Sequence, residues 1–277
     1  MFRPYRRIVQ ISVFALMFLI PVLNLYEIYT ITGTFYAINI GGLGIADPVV
    51  IFQAVFASGD LTIPLLTAAI FPVFLALLFG RIWCGWMCPY HLLADMVAWL
   101  RDKFSQGFRG KTNRHDLLLP GSFQANTCRF GFLIAGTLMA GAIGIPVLNY
   151  VNAPAIASTE AMIFIKEHSV SLEFGFIAVL LLLELSFFPR FWCRLFCPTG
   201  AFVSLFRTRF TLHVDTDIRT PKAPCCSSNL CSTACPMGLA PFREGRNLLC
   251  TNCLRCVDAC RSHGAGGRLR LKGFSDK

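Results

Sequence analysis

Charge is what this 277-residue chain has least of: 14% of its residues are Asp, Glu, Lys or Arg, against 55% hydrophobic. That balance excludes an ordinary soluble domain and favours a membrane class. Histidine is scarce too, with five residues, and none lies inside a long apolar stretch. His91, His115, His213 and His263 fall in basic segments and His168 in an acidic loop. With no Cys-x-x-Cys-His sequence either, haem is excluded. There is no Walker loop and no dinucleotide fingerprint, which argues against an ATP-driven pump or a nicotinamide site.

Four stretches are apolar enough for the roughly 20 helical residues that cross a hydrocarbon core. They are Ile8 to Tyr29, Leu61 to Gly80, Cys128 to Leu148 and Leu172 to Phe188. The first follows Arg3, Arg6 and Arg7 but has no small-residue cleavage site after it, so it reads as a retained anchor. Lys and Arg are absent from Ile31 to Asp60, and Lys166 stands alone among Glu160, Glu167 and Glu173. Arg81, Arg101, Lys103, Arg109, Lys111 and Arg114 fill the middle loop, and Arg is frequent after the last stretch. The positive-inside rule then puts both termini of a multi-pass membrane protein in the cytoplasm. The net charge of +10 is explained by this topology and by anionic lipid, so no nucleic-acid partner is expected. The tail residues Arg268, Arg270 and Lys272 read as a solvated basic end.

Thirteen cysteines in a hydrophobic chain of this size have metal-ligand spacings rather than those of a disulfide scaffold. Cys250, Cys253, Cys256 and Cys260 form the C-x2-C-x2-C-x3-C run by which bacterial ferredoxins bind iron-sulfur clusters, the fourth Cys serving the other cluster. Electron transfer is therefore the leading reading. By the same rule Cys250, Cys253 and Cys256 join Cys235, which Pro236 follows, in a complete four-iron site. The second site is incomplete. Cys225, Cys231 and Cys260 stand in register, but Ser228 occupies the position of a thiol and an extra Cys226 adjoins Cys225. The fourth ligand is Cys226, Ser228 or an external group; unusual ligation, a three-iron form, a labile site and a purely structural role all remain open. From Asp215 onward there is little apolar core, so this region should fold with its metal.

The chain also contains a duplication. Arg81-Ile82-Trp83-Cys84-Gly85-Trp86-Met87-Cys88-Pro89 and Arg190-Phe191-Trp192-Cys193-Arg194-Leu195-Phe196-Cys197-Pro198 are both Arg-x-Trp-Cys-x3-Cys-Pro units. Each is followed by an amphipathic stretch, His91 to Phe104 and Ala201 to Phe210. Each is preceded by an apolar segment too brief to span, Pro48 to Ser58 and Ala153 to Ile165, of the re-entrant or interfacial kind. The expected fold is mainly α: four transmembrane helices in two repeated two-helix units over residues 1–210, then a cytoplasmic ferredoxin-like domain over 211–277. In a helix the cysteines of each unit would share a face at i and i+4. Cys84, Cys88, Cys193 and Cys197 are thus a candidate site for Zn, Cu(I) or an iron-sulfur centre, the alternative being ordinary packing of Cys beside Trp. The lone Cys128 is read as packing. Asp47, Gln53, Asp60, Glu167 and His168 are outer-loop positions where a quinol could release protons, though solvated loop residues are the plainer account.

Ala46-Asp47-Pro48 through Gln53, Ala57-Ser58-Gly59, Trp83 to Pro89, Leu93 to Phe104, the second Cys-x3-Cys-Pro and the tail together resemble the NapH/MauN family of ferredoxin-type membrane proteins. The paired units are also similar to the NosR membrane domain and the CcoG group. The resemblance implies a four-span inner-membrane protein with two four-iron clusters, held by Cys225, Cys231, Cys235, Cys250, Cys253, Cys256 and Cys260, with Ser228 a departure. It implies electrons passing from quinol toward iron-sulfur or cytochrome partners of a periplasmic enzyme, as in a quinol dehydrogenase subunit. A maturation or metal-handling factor, with Cys84, Cys88, Cys193 and Cys197 as working thiols, is the second expectation, and a scaffold with structural clusters a third.

Overall fold

The computed structural model describes residues 2–27, 29–108, 121–186, 190–208, 210–216, 230–241, 247–262 and 269–272. Helix α1 (Arg3–Leu25) starts with a Pro in its first turn, where a missing N–H leaves no bond unmade. An antiparallel meander follows, β1 (Ile31–Thr34), β2 (Ala37–Ile40) and β3 (Leu43–Ala46), registered through Ile31 opposite Ile40 and Ala37 opposite Ala46. Its second turn is Gly41-Gly42, both at positive φ, as a two-residue hairpin of the right twist requires.

Helix α2 (Pro48–Ser58) is capped by Asp47, whose carboxylate accepts the Val49 N–H at 2.9 Å. Then come α3 (Ile63–Phe79), the single-turn α4 (Ile82–Trp86) and α5 (Pro89–Phe108). The same order recurs: α6 (Ser122–Ile143), a 3-10 turn (Val147–Val151), α7 (Ala153–Glu167), α8 (Leu172–Ser186), the single-turn α9 (Phe191–Leu195) and α10 (Pro198–Leu205). The two expected short apolar segments correspond to α2 and α7. The tail contributes β4 (His213–Thr216), α11 (Leu230–Thr233), α12 (Arg255–Ser262) and β5 (Leu269–Lys272), with β4 and β5 antiparallel.

The expectation of four full spans needs correction. Among the described residues α1 alone is long and apolar enough to cross a membrane; a second qualifies only if α8 is joined to Phe191–Leu205, which lies at 98° to it. The causes are local. Gly80 ends α3 after 17 residues and α8 has 15, while α6, though 22 residues long, carries Gln124, Asn126 and Arg129 in its first turns. Cys128, expected to pack, is exposed.

Neither Cys-x3-Cys pair shares one helix face, which overturns the i, i+4 expectation. Proline disfavours helical backbone in the residue before it, so Cys88 and Cys197 leave the helix that holds Cys84 or Cys193. Both units end alike: the Trp83 carbonyl accepts Met87 N at 2.9 Å and Cys88 N at 3.1 Å, and the Trp192 carbonyl accepts Phe196 N at 3.0 Å and Cys197 N at 2.9 Å. Cys197 then caps α10, its sulfur accepting the Gly200 N–H at 3.4 Å.

The principal core joins both units to the tail: Cys88, Tyr90, Ala94, Leu180, Trp192, Cys193 and Cys197 pack with Met237, Leu239 and Leu249. Asp95 on α5 pins these parts together. Its carboxylate pairs with Arg6 of α1 at 2.8 Å, with Arg255 of α12 at 2.7 Å and with Arg190 of the second unit. Arg190 also donates to the His91 carbonyl at 3.0 Å. The amides of Phe2 and Arg3 donate to Asp258, so α1 begins against the tail. Burial pushes the Asp95 carboxyl up, but the charges of Arg190, Arg255 and Arg6 outweigh it and hold the group well below the ordinary carboxylate range. Its contribution is therefore present above the unfolded value near pH 4 and is lost only as pH falls through the lower native value. Asp95→Ala leaves three partly or wholly buried guanidiniums without their counter-charge. It is expected to cost about 3–5 kcal/mol, read as a lowered midpoint in denaturant unfolding of the detergent-solubilised protein.

Candidate metal centre

The C-terminal run is shaped by its short spacing and its anchors. Asn247 turns the chain, its side chain accepting the Leu249 N–H at 2.8 Å and its carbonyl accepting Cys250 N at 3.0 Å. Asn252 and Leu254 both sit at positive φ, 49° and 60°, which Asn adopts readily. The Asn252 side-chain amide donates to the carbonyls of Phe79 at 3.1 Å and Leu212 at 2.7 Å, while the Asn252 backbone carbonyl accepts Trp86 Nε1 at 3.1 Å. Arg81 of the first unit donates to the Leu248 carbonyl at 3.1 Å. The loop is thus fastened to the end of α3 and to the first unit.

The outcome is a cavity lined by Cys235, Cys250, Cys253 and Cys256 together with Val214, Met237, Leu239, Pro241, Thr251 and Leu254. All four thiols assigned to the complete site by spacing face one space. Among the described residues no group of three or more His, Cys, Asp or Glu is placed to hold a single metal ion. Thiols spread around an apolar-walled void suit a multi-atom cluster, whose own volume separates its ligands, better than one ion. Burial, reinforced by neighbouring Cys253, pushes the Cys235 thiol up to about 12 and the Cys256 thiol up as well. Without a cation these groups stay protonated at neutral pH; a bound metal deprotonates such thiols outright.

Cys231 and Cys260 lie together in a second buried cluster with Val214, Leu254, Cys256 and Val257. Cys225, Cys226 and Ser228 lie outside the described residues, as do His115, His263, Arg243 and Arg246.

The repeat brings its own thiols together. Cys88, Cys193 and Cys197 are buried and Cys84 half-buried. Burial, then the charge of Cys84, pushes the Cys88 thiol up to about 12 and the Cys197 thiol up to about 11. The arginines cross over: Arg190 bonds the His91 carbonyl two residues after Pro89, and a Cβ at Gly200, two residues after Pro198, would stand 2.5 Å from Arg81 Nη2. Such reciprocal contacts are those of two copies facing each other. The Cys84 unit and the cluster candidate also touch. A Cβ at Gly85, between Cys84 and Trp86, would stand 2.5 Å from the Thr251 carbonyl oxygen and 3.4 Å from Cys253 Cβ.

Polar residues expected in solvated outer loops are divided by the structure. Asp60, Glu167 and His168 are exposed, but Asp47 and Gln53 are buried. Asp47 Oδ2 accepts Thr199 Oγ1 at 2.7 Å and Asn152 Nδ2 at 3.0 Å, so the starts of α2 and α7 meet beside the second unit. Burial raises the Asp47 carboxyl and these bonds oppose it. Asn152 and Thr199 were not singled out from the sequence. The signal was present in Asp47-Pro48 and Asn152-Ala153-Pro154, cap-then-proline starts at matching places in the two halves. Asp95 gave no comparable signal, and His91 and His213, expected in basic segments, are buried.

A family model described as "4Fe-4S binding domain" matches residues 61–106 and 171–212, one segment per half of the repeat, and each spans one Cys-x3-Cys-Pro unit. The run from Cys250 to Cys260 lies outside both. The chain is 31% identical over 199 residues to the methylamine utilization ferredoxin-type protein MauN of Paracoccus denitrificans, covering 71% of this chain and 63% of that protein. It is 24% identical to the ferredoxin-type protein NapH of Haemophilus influenzae, over 92% of this chain and 85% of the relative. MauN of Methylorubrum extorquens is 27% identical over 97% of this chain and 80% of its own length. No solved structure matches.

Gly85→Ala places a methyl group against backbone that the Asn252 bonds hold in place, whereas Gly200→Ala meets side-chain atoms, the far end of Arg81 and the Cys197 sulfur. Gly85→Ala is expected to destabilise by about 1–3 kcal/mol and Gly200→Ala by less, checked by thermal melts of the two variants.

Proposed function

The chain belongs to the NapH/MauN family of ferredoxin-type proteins, and on that footing we propose that it is a membrane-bound iron-sulfur protein that moves electrons from quinol toward the iron-sulfur or cytochrome partner of a periplasmic enzyme. The observation that carries this reading is the cavity lined by Cys235, Cys250, Cys253 and Cys256, lying in contact with the Cys84 unit. A [4Fe-4S] cluster supplies one-electron chemistry when bound there. The four thiols hold it, the aliphatic side chains of Val214, Met237, Leu239 and Leu254 exclude water, and Arg81 and Asn252 fix the loop at the repeat. Cys231 and Cys260 would serve a second centre, completed by Cys225 with Cys226 or Ser228.

Membrane embedding is supported by exposed apolar faces on α1, α3, α6 and α8. Ile8 and Ile11 on α1, Leu66, Ile70 and Phe74 on α3, Ile134 and Leu138 on α6, and Val179 and Leu182 on α8 need a cover that lipid provides. Attachment of the first residues to Asp258 supports a common, cytoplasmic side for α1's start and the tail. Cytoplasmic clusters alone would stand about 30 Å from a periplasmic acceptor.

A second reading, a maturation or metal-handling role, is favoured by the MauN likeness and by the four thiols of the repeat. Cys84, Cys88, Cys193 and Cys197 changed together to Ser should abolish quinol-dependent reduction of the tail cluster if the protein is an electron carrier. If it is a maturation factor, that reduction persists and the fault appears only in cofactor assembly of newly made enzyme. Cys253→Ser should remove a four-iron EPR signal from the anaerobically purified, reduced protein; a signal unchanged in that variant would refute the ligand assignment.

A further inference from the structure

Thr251 is the one hydroxyl-bearing side chain lining the cavity of Cys235, Cys250, Cys253 and Cys256. It is 2% exposed, and its Oγ1 has no hydrogen-bond partner among the described residues. A buried hydroxyl without a partner loses its hydrogen bonds to water with nothing in return, so native structures retain one only where something else satisfies it. The other polar groups of this loop are engaged elsewhere: the Asn252 side-chain amide on Phe79 and Leu212, its backbone carbonyl on Trp86, and the Asn247 side chain on Leu249. What the protein leaves unpaired on a residue lining the cavity is a donor. A cluster bound by four thiolates presents acceptors, its sulfurs, whose negative charge grows on reduction.

We infer that the Thr251 hydroxyl donates a hydrogen bond to a sulfur of the cluster held in this cavity and so raises its reduction potential. The inference rests on the cluster assignment proposed above and adds a tuning residue to it. A hydrogen bond to sulfur stabilises the more negative, reduced state more than the oxidised one, and such bonds are among the protein's levers on cluster potential. Thr251 also adjoins the contact with Gly85, so its effect falls where the cluster meets the repeat. A higher potential here makes the cluster a better acceptor for electrons arriving from that side.

The test compares wild type with Thr251→Val, which keeps the shape and removes the donor, and Thr251→Ser, which keeps the donor. Iron and sulfide content and an EPR-monitored redox titration are measured on each purified protein. The expected result is a midpoint potential lowered in Thr251→Val by about a tenfold change in the reduction equilibrium, ~59 mV for a one-electron couple, with full cluster content, and a near wild-type value in Thr251→Ser. An unchanged or raised midpoint in a fully loaded Thr251→Val protein overturns the inference. If the valine variant does not load, Thr251→Ala replaces it; failure of both to load while Thr251→Ser loads at an altered midpoint also overturns it, since the side chain is then a packing element. A wild-type protein that carries no cluster, or one that survives Cys253→Ser, overturns the cluster assignment itself and is distinguished from these outcomes by iron content alone.

Discussion

One carboxylate sets the arrangement of this molecule. Asp95 accepts Arg6 from the first helix, Arg190 from the second copy of the repeat and Arg255 from within the cysteine run. In a chain so poor in charge, three guanidiniums around one acid need that acid for their burial to be tolerable. The pin also reaches the candidate site: Arg255 stands between Cys253 and Cys256, so the same charge that gathers the helices anchors the segment of two cavity-lining thiols.

Around this pin the repeat and the tail form one body. The Asn252 amide, the Trp86 indole, the Arg81 guanidinium and the bare Cα of Gly85 all act at the seam between the first Cys-x3-Cys-Pro unit and the loop of Cys250 and Cys253. The 4Fe-4S family match falls on the repeat, and the cavity suited to a cluster lies in the tail. Their contact reconciles the two, because residues of the matched segments build one wall of the seam.

The corrections have a common origin in proline and glycine. Pro89 and Pro198 drive Cys88 and Cys197 out of helical backbone, so a spacing that promised one shared face instead splits each pair across a helix break. Gly80 ends α3 before it reaches full spanning length. The other surprise, burial of Asp47 and Gln53, arises because α2 and α7 turn inward and meet through Asn152 and Thr199. A loop without Lys or Arg reads as exposed until a partner for Asp47 is known.

The sequence by itself determined the class of chemistry, the grouping of Cys235 with Cys250, Cys253 and Cys256, the duplication, and the short apolar helices between longer ones. These follow from spacing and period, which are local properties of a chain. Tertiary structure alone decided what lies against what: the three arginines on Asp95, the inward turn that buries Asp47, the approach of Gly85 to Thr251, and the unpartnered hydroxyl on a residue lining the cavity. Each joins residues far apart in sequence, and nothing in a residue's own neighbourhood records which distant group will satisfy its charge or its hydrogen bond.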